Sequence, residues 1–469
     1  MKRIHIKYLF ALAILTSFFG CQDLVDDIND NPNQLTVDAV DAGLFLKGAE
    51  IENMMIQLGT FDRVASYYSG QLIGYEQIEQ EFYSYIFTDR SFDWDGYQSV
   101  LTPLRDIRVR KEGNFLYMGI TKVVEAHLIG TYASLFGDIP YSEALSGIDS
   151  PAFDNQKAVF SSLQSLLSEA ISDLENVTSG DVVTGDYIFN GDAEKWLESA
   201  YTLKARYYML TKEYSEAYSA AMNGISSAAN SMMFVPYEGV VDPGSKNTLY
   251  ARLSTGGYRV GVVPDATHPS YLLELLDSRS NSKTNEEART QYYTIDHDNA
   301  DGNTGIAAQF EPQPLVSYQE NLLILAEAGA RSQGFSTGLE YLNTLRAELS
   351  AGAFFNESVE SMEMVYDPYE AADFDAGGIE NEDGSLSADR ALLREIVEER
   401  YLTGFMTFMP YNDTRRLQKD DSDIAVPFGF NTPTQTANVE RLIYPSDELE
   451  SNTSSPAEPG AYAPTEVNR

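Results

Sequence analysis

The sequence predicts a fold dominated by α-helices: irregular tetratricopeptide-like helical hairpins with long loops and little β structure. Apolar residues recur at steps of three and four, the period of one face of an α-helix. These stripes come in pairs with a short break between them, as expected for hairpins of about 35 residues. Segments rich in Gly, Asp, Asn, Pro and Tyr separate the pairs, around residues 232–270, 277–314 and 351–388. Loops of such length tend to carry function.

The first predicted hairpin occupies the middle of the N-terminal half. Residues 115–145 read as a helix that turns at Gly137 to Pro140, and residues 157–177 place their apolar side chains on one helical face. Small alanines stand beside large aromatic residues along these stripes. That composition suits helices that approach each other closely, because the small residue admits the neighbour and the large one fills the groove.

Two further hairpins follow the same pattern. Residues 192–228 read as a helix, a break at Thr-Lys-Glu and a second helix, and residues 317–349 repeat this arrangement. Ser317 and Glu320 have the spacing of a capping box at the start of the last pair, and Gly334 can end its first helix. We expect residues 41–469 to form one helical domain around these pairs.

The N-terminal residues have the layout of an export signal. Residues 1–20 contain a basic start, an apolar run too short to span a membrane and a closing glycine. Cys21 follows directly and is the sole cysteine of the chain, in a context similar to a bacterial lipobox. We therefore expect residues 1–20 to be a lipoprotein signal peptide, Cys21 to carry lipid and residues 21–40 to be a tether. The alternative is a free cysteine near an ordinary cleavage site.

The charge of the chain is strongly negative. It contains 71 acidic and 32 basic residues, for a net charge of −39. Such a surface repels nucleic acid, which we exclude as a partner. A single cysteine forms no internal disulfide, so stability must come from the core, and 43% hydrophobic residues can supply one.

Candidate ligand-binding residues concentrate in residues 61–97, a segment dense in tyrosine. Binding of sugars without catalysis needs aromatic faces together with amide, carboxylate or guanidinium groups. Long loops add further aromatic candidates, Tyr292 and Tyr293 above all, with Tyr250 and Tyr258 beside them. The alternative for any one aromatic residue is core packing. The candidates within residues 61–97 are Asp62, Arg63, Tyr67, Tyr68, Tyr75, Tyr83, Trp94 and Tyr97.

Catalytic and metal-binding patterns receive little support. The four histidines have no metal-ligand spacing, and the chain lacks a G-x-S-x-G elbow and a phosphate-binding loop. Residues 296–303, DHDNADGN, lack the glycine and glutamate that an EF-hand needs, although another cation site stays open there. Glu327 lies within an apolar helix, but Arg331 one turn later explains it as an ion pair. We predict no metal, no cofactor and no enzymatic activity.

Several motifs together resemble the SusD/RagB-like family of nutrient-binding outer-membrane lipoproteins of Bacteroidetes. They are DINDNPN (27–33), LFGDIPYSEAL (135–145), NLLILAEAGAR (321–331), IVEERYLTGFMTFMPYNDTRRL (396–417) and RLIYPSDELESN (441–452). The paired Arg415 and Arg416 and the segment from Tyr444 to Glu448 are similar to one branch of this family. We expect contacts of both arginines with helix ends or the chain's own carboxylates.

This resemblance implies a protein anchored by lipid on Cys21 to the outer leaflet of the outer membrane, facing the exterior. Such proteins capture glycans or peptides and deliver them to a SusC-like TonB-dependent transporter. We therefore expect binding of an oligomeric nutrient, with an oligosaccharide preferred to a peptide on the resemblance. The alternatives are a surface glycoside hydrolase, a peptide-binding protein and a tetratricopeptide scaffold for protein partners.

Overall fold

This computed structural model describes residues 40–239, 245–256 and 258–469. The expected signal peptide, Cys21 and nearly all of the expected tether lie outside the described residues. Helices make up 51% of the described residues and strands 4%, which confirms the prediction of a mostly helical fold with little β structure. The principal helices are α1 (Ala42–Gln57), α2 (Thr60–Tyr68), α3 (Gln77–Tyr83), α4 (Asp95–Arg110), α5 (Phe115–Phe136), α6 (Gln156–Glu175), α7 (Ala193–Leu210), α8 (Tyr214–Ala221), α9 (Thr248–Ser254), α10 (Leu272–Arg279), α11 (Glu287–Tyr293), α12 (Tyr318–Ser332), α13 (Phe335–Ser350), α14 (Ala388–Thr403), α15 (Met409–Leu417) and α16 (Ser446–Ser451).

Within the described residues, six short strands form three antiparallel pairs, and each pair holds a long loop against the helices. The pairs are β1 (Ile73–Gly74) with β3 (Val260–Gly261), β2 (Met232–Phe234) with β5 (Gln313–Val316), and β4 (Thr284–Asn285) with β6 (Val365–Tyr366). Each pair joins segments far apart in the sequence. The strands therefore order loops and build no continuous sheet.

The predicted hairpins are present as α5 with α6, α7 with α8 and α12 with α13. Their turns fall where the sequence placed them. Gly137 follows α5 with φ +85°, Lys212 lies between α7 and α8 with φ +63°, and Gly334 precedes α13 with φ +106°. Two of these three positions are glycine, which adopts a positive φ readily because it has no Cβ.

Small residues at helix crossings admit large partners, as the sequence pattern predicts. A Cβ on Gly130 of α5 would lie 2.2 Å from the Tyr207 ring of α7. The Tyr207 hydroxyl donates to the carbonyl of Ala126 at 2.7 Å, within the same crossing. Close approach of α5 and α7 therefore depends on the absence of a side chain at residue 130.

The predicted capping box at the start of α12 is half formed. The Ser317 hydroxyl accepts from the Glu320 amide at 3.1 Å, as in a capping box. The Glu320 carboxylate does not return to the Ser317 amide, because Arg206 of α7 donates two hydrogen bonds of 2.6 Å to it. A charge-assisted, bidentate pair outweighs the local cap.

The paired arginines have the structural contacts that the sequence suggests. Arg415 is buried and donates to the carbonyls of Ser134 and Glu440 at 2.8 and 3.0 Å. Arg416 is buried and grips the Glu327 carboxylate at 2.7 and 2.5 Å. In the described part of the chain, no helix is both long and apolar enough to cross a membrane.

Candidate ligand-binding surface

Most predicted ligand-binding residues of the early segment lie in the interior. Trp94 is partly buried and contacts the rings of Phe136 and Tyr444 at centroid distances of 5.3 and 5.9 Å. Tyr75 is partly exposed at the surface. The other six candidates of this segment are buried, so they pack in the interior, and their contact with a ligand stays a prediction. The residues at most 8% exposed are Asp62, Arg63, Tyr67, Tyr68, Tyr83 and Tyr97.

The surface around Tyr75 joins three parts of the chain. Strand β1 pairs with β3, and the Tyr75 amide continues this ladder by donating to the Arg259 carbonyl at 2.9 Å. The Tyr75 hydroxyl donates to the Val263 carbonyl at 2.8 Å, so both the backbone and the tip of the side chain are held. We call this surface the Tyr75 face. It consists of Tyr75, Glu76, Tyr258, Arg259, His268, His297 and Asp298.

Two histidines flank the Tyr75 ring. The His297 ring stacks on it at 4.2 Å with an interplanar angle of 24°, and the His268 ring meets it edge-on at 5.3 Å. Gly261 lies against this stack, and a Cβ there would be 3.2 Å from Tyr75 Cε2. The glycine in β3 therefore leaves room for a flat aromatic platform at the surface.

A second aromatic group, Tyr258, has a guanidinium over its ring. The Arg252 Cζ lies 3.6 Å from the Tyr258 ring centroid, in cation–π contact. Arg252 in turn donates to the buried Glu79 carboxylate at 2.5 Å. The position of Tyr258 is thereby linked to the interior of the protein.

Buried residues of the early segment complete this support. The other Glu79 oxygen accepts from the Tyr67 hydroxyl at 2.5 Å and from Arg63 at 3.4 Å. Burial favours a raised pKa for Glu79, but Arg63 and Arg252 outweigh burial and lower that pKa below its usual 4.5. Arg63 and Tyr67 therefore stabilise the group that holds Arg252.

Asp62 differs from this network because burial dominates its ionisation. It is 0% exposed, and burial raises its pKa from 3.8 to about 8 despite the neighbouring Arg63. Its Oδ1 accepts from the Arg63 amide at 2.7 Å, whereas Oδ2 has no hydrogen-bond partner among the described residues. This raised pKa favours the protonated form of Asp62 at neutral pH.

Charged groups of both signs surround the aromatic rings of the Tyr75 face. Arg259 is 44% exposed and contacts Glu76 at 3.5 Å and Asp298 at 2.9 Å. His268 Nδ1 lies 3.0 Å from the Asp265 carboxylate. The face therefore offers donors and acceptors beside accessible rings, the combination that sugar hydroxyls and ring C–H groups require.

The acidic loop at residues 296–303 uses its carboxylates within the protein. Asp296 accepts from the Asp298 amide at 2.9 Å, Asp298 pairs with Arg259, and Asp301 accepts from the Tyr250 hydroxyl at 2.6 Å. Within residues 40–239, 245–256 and 258–469, no group of three or more histidine, cysteine or acidic residues has an arrangement that could hold a metal ion. The carboxylates of this loop order the Tyr75 face.

A family model described as "SusD-like_2: Starch-binding associating with outer membrane" matches residues 32–409. The chain belongs to the SusD-like family. SusD-like proteins bind nutrients at the outer membrane and are not enzymes. No curated protein matches the chain.

Solved structures share the SusD-like fold at low sequence identity. A SusD homologue from Bacteroides fragilis is 21% identical, with a TM-score of 0.65 over 92% of this chain and 99% of that one. A SusD/RagB family protein from Bacteroides thetaiotaomicron is 19% identical, with a TM-score of 0.64 over 88% and 95%. A chitin-binding SusD homologue from Flavobacterium johnsoniae is 16% identical, with a TM-score of 0.63 over 90% and 98%. The recognition of the family from its motifs is confirmed.

Sequence reasoning missed most of the polar residues of this SusD-like surface. Arg252, Arg259, His268 and His297 are not among the predicted ligand residues, although they lie in two of the three long loops expected to carry function. The concentration of His and Tyr in those loops is a sequence signal that could have indicated these residues. The pairing of β1 with β3 gives no such signal, because two-residue strands are too short to show a period.

Proposed function

We propose that this SusD-like protein captures a glycan on the Tyr75 face and delivers it to a SusC-like TonB-dependent transporter. One observation carries the site: the partly exposed Tyr75 ring stacked on His297, with Tyr258 and its guanidinium in the same loop system. Aromatic rings accept the apolar face of a sugar, and the surrounding charged groups accept and donate to its hydroxyls. The chemistry of binding is stacking and hydrogen bonding, without a covalent step.

The choice of a glycan rests on this surface and on the family. The family description refers to starch, and the Flavobacterium johnsoniae homologue binds chitin. These names supply the ligands to test first. A peptide remains the second ligand class for the panel, since aromatic and amide contacts serve both.

The cellular arrangement is proposed from the N-terminal sequence. Lipid on Cys21 would hold the mature chain in the outer leaflet, with residues 21–40 as a tether to a single ligand-binding domain, residues 41–469. The domain would then face the exterior and cover the transporter. This places the bound nutrient next to the pore that imports it.

Calorimetric titration of the soluble form beginning at Gln22 tests the site. The panel contains malto-oligosaccharides, chito-oligosaccharides and neutral oligopeptides, and the variants are Tyr75→Ala and Tyr258→Ala. A matched control is Tyr187→Ala, which removes a 37% exposed tyrosine outside the face. Stacking on one ring contributes about 1–3 kcal/mol by analogy with bases on aromatic side chains, so we expect at least a fivefold loss for Tyr75→Ala and none for the control.

The outcomes separate the proposal from its rivals. Saturable binding of one oligosaccharide class that Tyr75→Ala weakens supports the glycan site. Binding of peptides alone, with the same sensitivity, would move the ligand to the peptide class. Absence of any ligand, with a stable complex to a protein other than the transporter, would favour the tetratricopeptide scaffold.

A further inference from the structure

A cleft separate from the Tyr75 face opens at the carboxyl end of α11. It has a volume of about 340 Å³, within the range of small-molecule sites, which start near 300 Å³. We call it the Glu311 cleft. Residues of α11, of the strand pair β2 and β5 and of the segments after α13 and α14 line it; those used below are Tyr292, Tyr293, Glu311, Phe355, Phe405 and Met406.

Four aromatic rings form a continuous row in this cleft. Phe355 meets Tyr292 at 5.4 Å, Tyr292 meets Tyr293 at 5.6 Å, and Tyr293 meets Phe405 at 5.3 Å between ring centroids. Tyr292 and Tyr293 are the two loop tyrosines that the sequence singled out for ligand binding. Aromatic rings attract cations through their negative faces, most strongly where water is excluded.

Glu311 supplies the charge of the cleft. Among the described residues that line it, Glu311 is the sole charged side chain. Its Oε1 accepts from the Tyr292 hydroxyl at 2.7 Å and its Oε2 from the Asn356 amide at 2.6 Å. A carboxylate has about four acceptor positions, so two remain for a ligand.

Arg289, a buried cation beside the row, pairs with carboxylates other than Glu311. Its guanidinium Cζ lies 5.9 Å from the Tyr293 ring centroid, and the residue is 1% exposed. It forms ion pairs with Glu399, at 2.5 Å, and with Glu286, at 3.5 Å. Burial raises the pKa of Glu311, although Tyr292 and Asn356 oppose this by donating hydrogen bonds. An incoming cation would relieve that cost of burial.

The backbone at the cleft is strained. Met406 has φ +59°, a conformation unfavourable for a residue with a Cβ, and it is 4% exposed. Such strain collects at ligand clamps and active sites, where the surrounding structure holds it. It lies in the segment that follows α14 and brings Phe405 into the aromatic row.

We propose that the Glu311 cleft is a second binding site, which takes the ammonium group of an amine-bearing ligand. The ammonium donates to the free acceptor positions of Glu311 and contacts the half-buried Phe355 ring. Tyr292, Tyr293 and Phe405, which are at most 7% exposed, form the packed wall of the cleft. An amino sugar and a lysine-type side chain present the same group. This site is independent of the glycan site on the Tyr75 face.

Two pairs of probes differ in the charge of their amines, which acetylation removes. The first pair is the glucosamine trimer and its N-acetylated form, and the second is trilysine and its Nε-acetylated form. Titrations at pH 6 use the wild type, Glu311→Gln and Phe355→Leu. The matched control is Glu357→Gln, which removes an exposed carboxylate close in sequence to the cleft. Thermal unfolding confirms that each variant folds.

We expect the charged member of at least one pair to bind the wild type at least tenfold more tightly than its acetylated partner. Glu311→Gln should weaken that binding about tenfold or more, because a charge-assisted hydrogen bond is lost. Phe355→Leu should weaken it severalfold, and Glu357→Gln should leave it unchanged. The pair that responds identifies the source of the amine.

Three results would overturn the inference: no binding of either charged probe, equal binding of charged and acetylated probes, or full binding by Glu311→Gln. Tyr75→Ala separates the two sites. Amine binding that this variant abolishes and Glu311→Gln spares belongs to the Tyr75 face, and the inference then fails while the proposed function stands. Amine binding that survives in Tyr75→Ala supports the Glu311 cleft even if no glycan binds.

Discussion

Replacement of Glu327 by Gln should destabilise the protein severely, although the change keeps the shape of the side chain. Glu327 is 0% exposed and accepts two hydrogen bonds from Arg416, at 2.7 and 2.5 Å. Arg331 donates to it at 2.9 Å and Arg400 lies 3.2 Å away. The sequence predicted the pair with Arg331 but not the other two. The buried part of the cluster balances three cations, Arg331, Arg400 and Arg416, with three anions, Glu327, Asp413 and Asp421. At its more exposed edge Asp421 also pairs with Arg390 at 2.8 Å, and Asp423 balances that further cation.

The size of the effect follows from burial. Glu327→Gln leaves three guanidinium groups facing two carboxylates in the interior. Removal of one partner from a buried ionic network costs about 3–5 kcal/mol, because the remaining charge is desolvated and unpaired. The matched control is Glu169→Gln. Glu169 is 63% exposed, and its partner Lys122 keeps Asp173 at 2.8 Å, so this change should cost less than about 1 kcal/mol.

Urea unfolding followed by far-ultraviolet circular dichroism measures both variants without adding salt. A free energy of unfolding for Glu327→Gln within about 1 kcal/mol of Glu169→Gln would refute the argument. The pH dependence is a second readout. Burial favours a raised Glu327 pKa, but the three arginines outweigh burial and lower that pKa below its usual 4.5. The stabilisation is therefore complete above pH 4.5 and lost as the pH falls below it, so wild type and variant should converge in acid.

Three further predictions use other features. Gly130→Ala should destabilise by about 1–3 kcal/mol in thermal or urea unfolding because its Cβ meets the Tyr207 ring. Gly48→Ala, in an exposed helical position with open space, should instead stabilise by about 0.5–1 kcal/mol; equal effects would contradict the packing argument. Asp62→Asn should gain stability relative to the wild type as the pH rises from 3.8 to about 8, because the raised pKa of Asp62 makes the wild type lose about 1.4 kcal/mol per pH unit over that window. A constant difference in unfolding free energy across that range would count against it. Cys21→Ser should release the protein from the membrane fraction without changing its melting temperature, and continued membrane attachment would argue against lipid on Cys21.

The helical hairpins could be predicted because their signals are local. The turn glycines, the three- and four-residue steps and the small residues at crossings all lie within one or two helices of each other. The ionic clusters could not be predicted in full, since Glu327 meets Arg416 across 89 residues. No local spacing marks that contact. The motif resemblance supplied the family, yet it did not supply these partners.

The same limit governs the tyrosines of the early segment. Tyr67, Tyr75 and Tyr83 are alike in sequence context, but Tyr67 and Tyr83 are at most 1% exposed and Tyr75 is not buried. The difference arises because β1 ends at Gly74 and carries Tyr75 out beside a strand nearly 190 residues away. Only the tertiary pairing decides which ring reaches the surface.

Buried residues of the predicted ligand-binding set nevertheless support the Tyr75 face. Arg63 and Tyr67 hold Glu79, Glu79 holds Arg252, and Arg252 lies over Tyr258 of the Tyr75 face. A rigid support matters to a binding surface because side chains that are already ordered lose less entropy when the ligand arrives. The early segment that the sequence singled out therefore contributes mainly support: its polar residues position the Tyr75 face from within, and the loops that meet it supply most of the residues of that face.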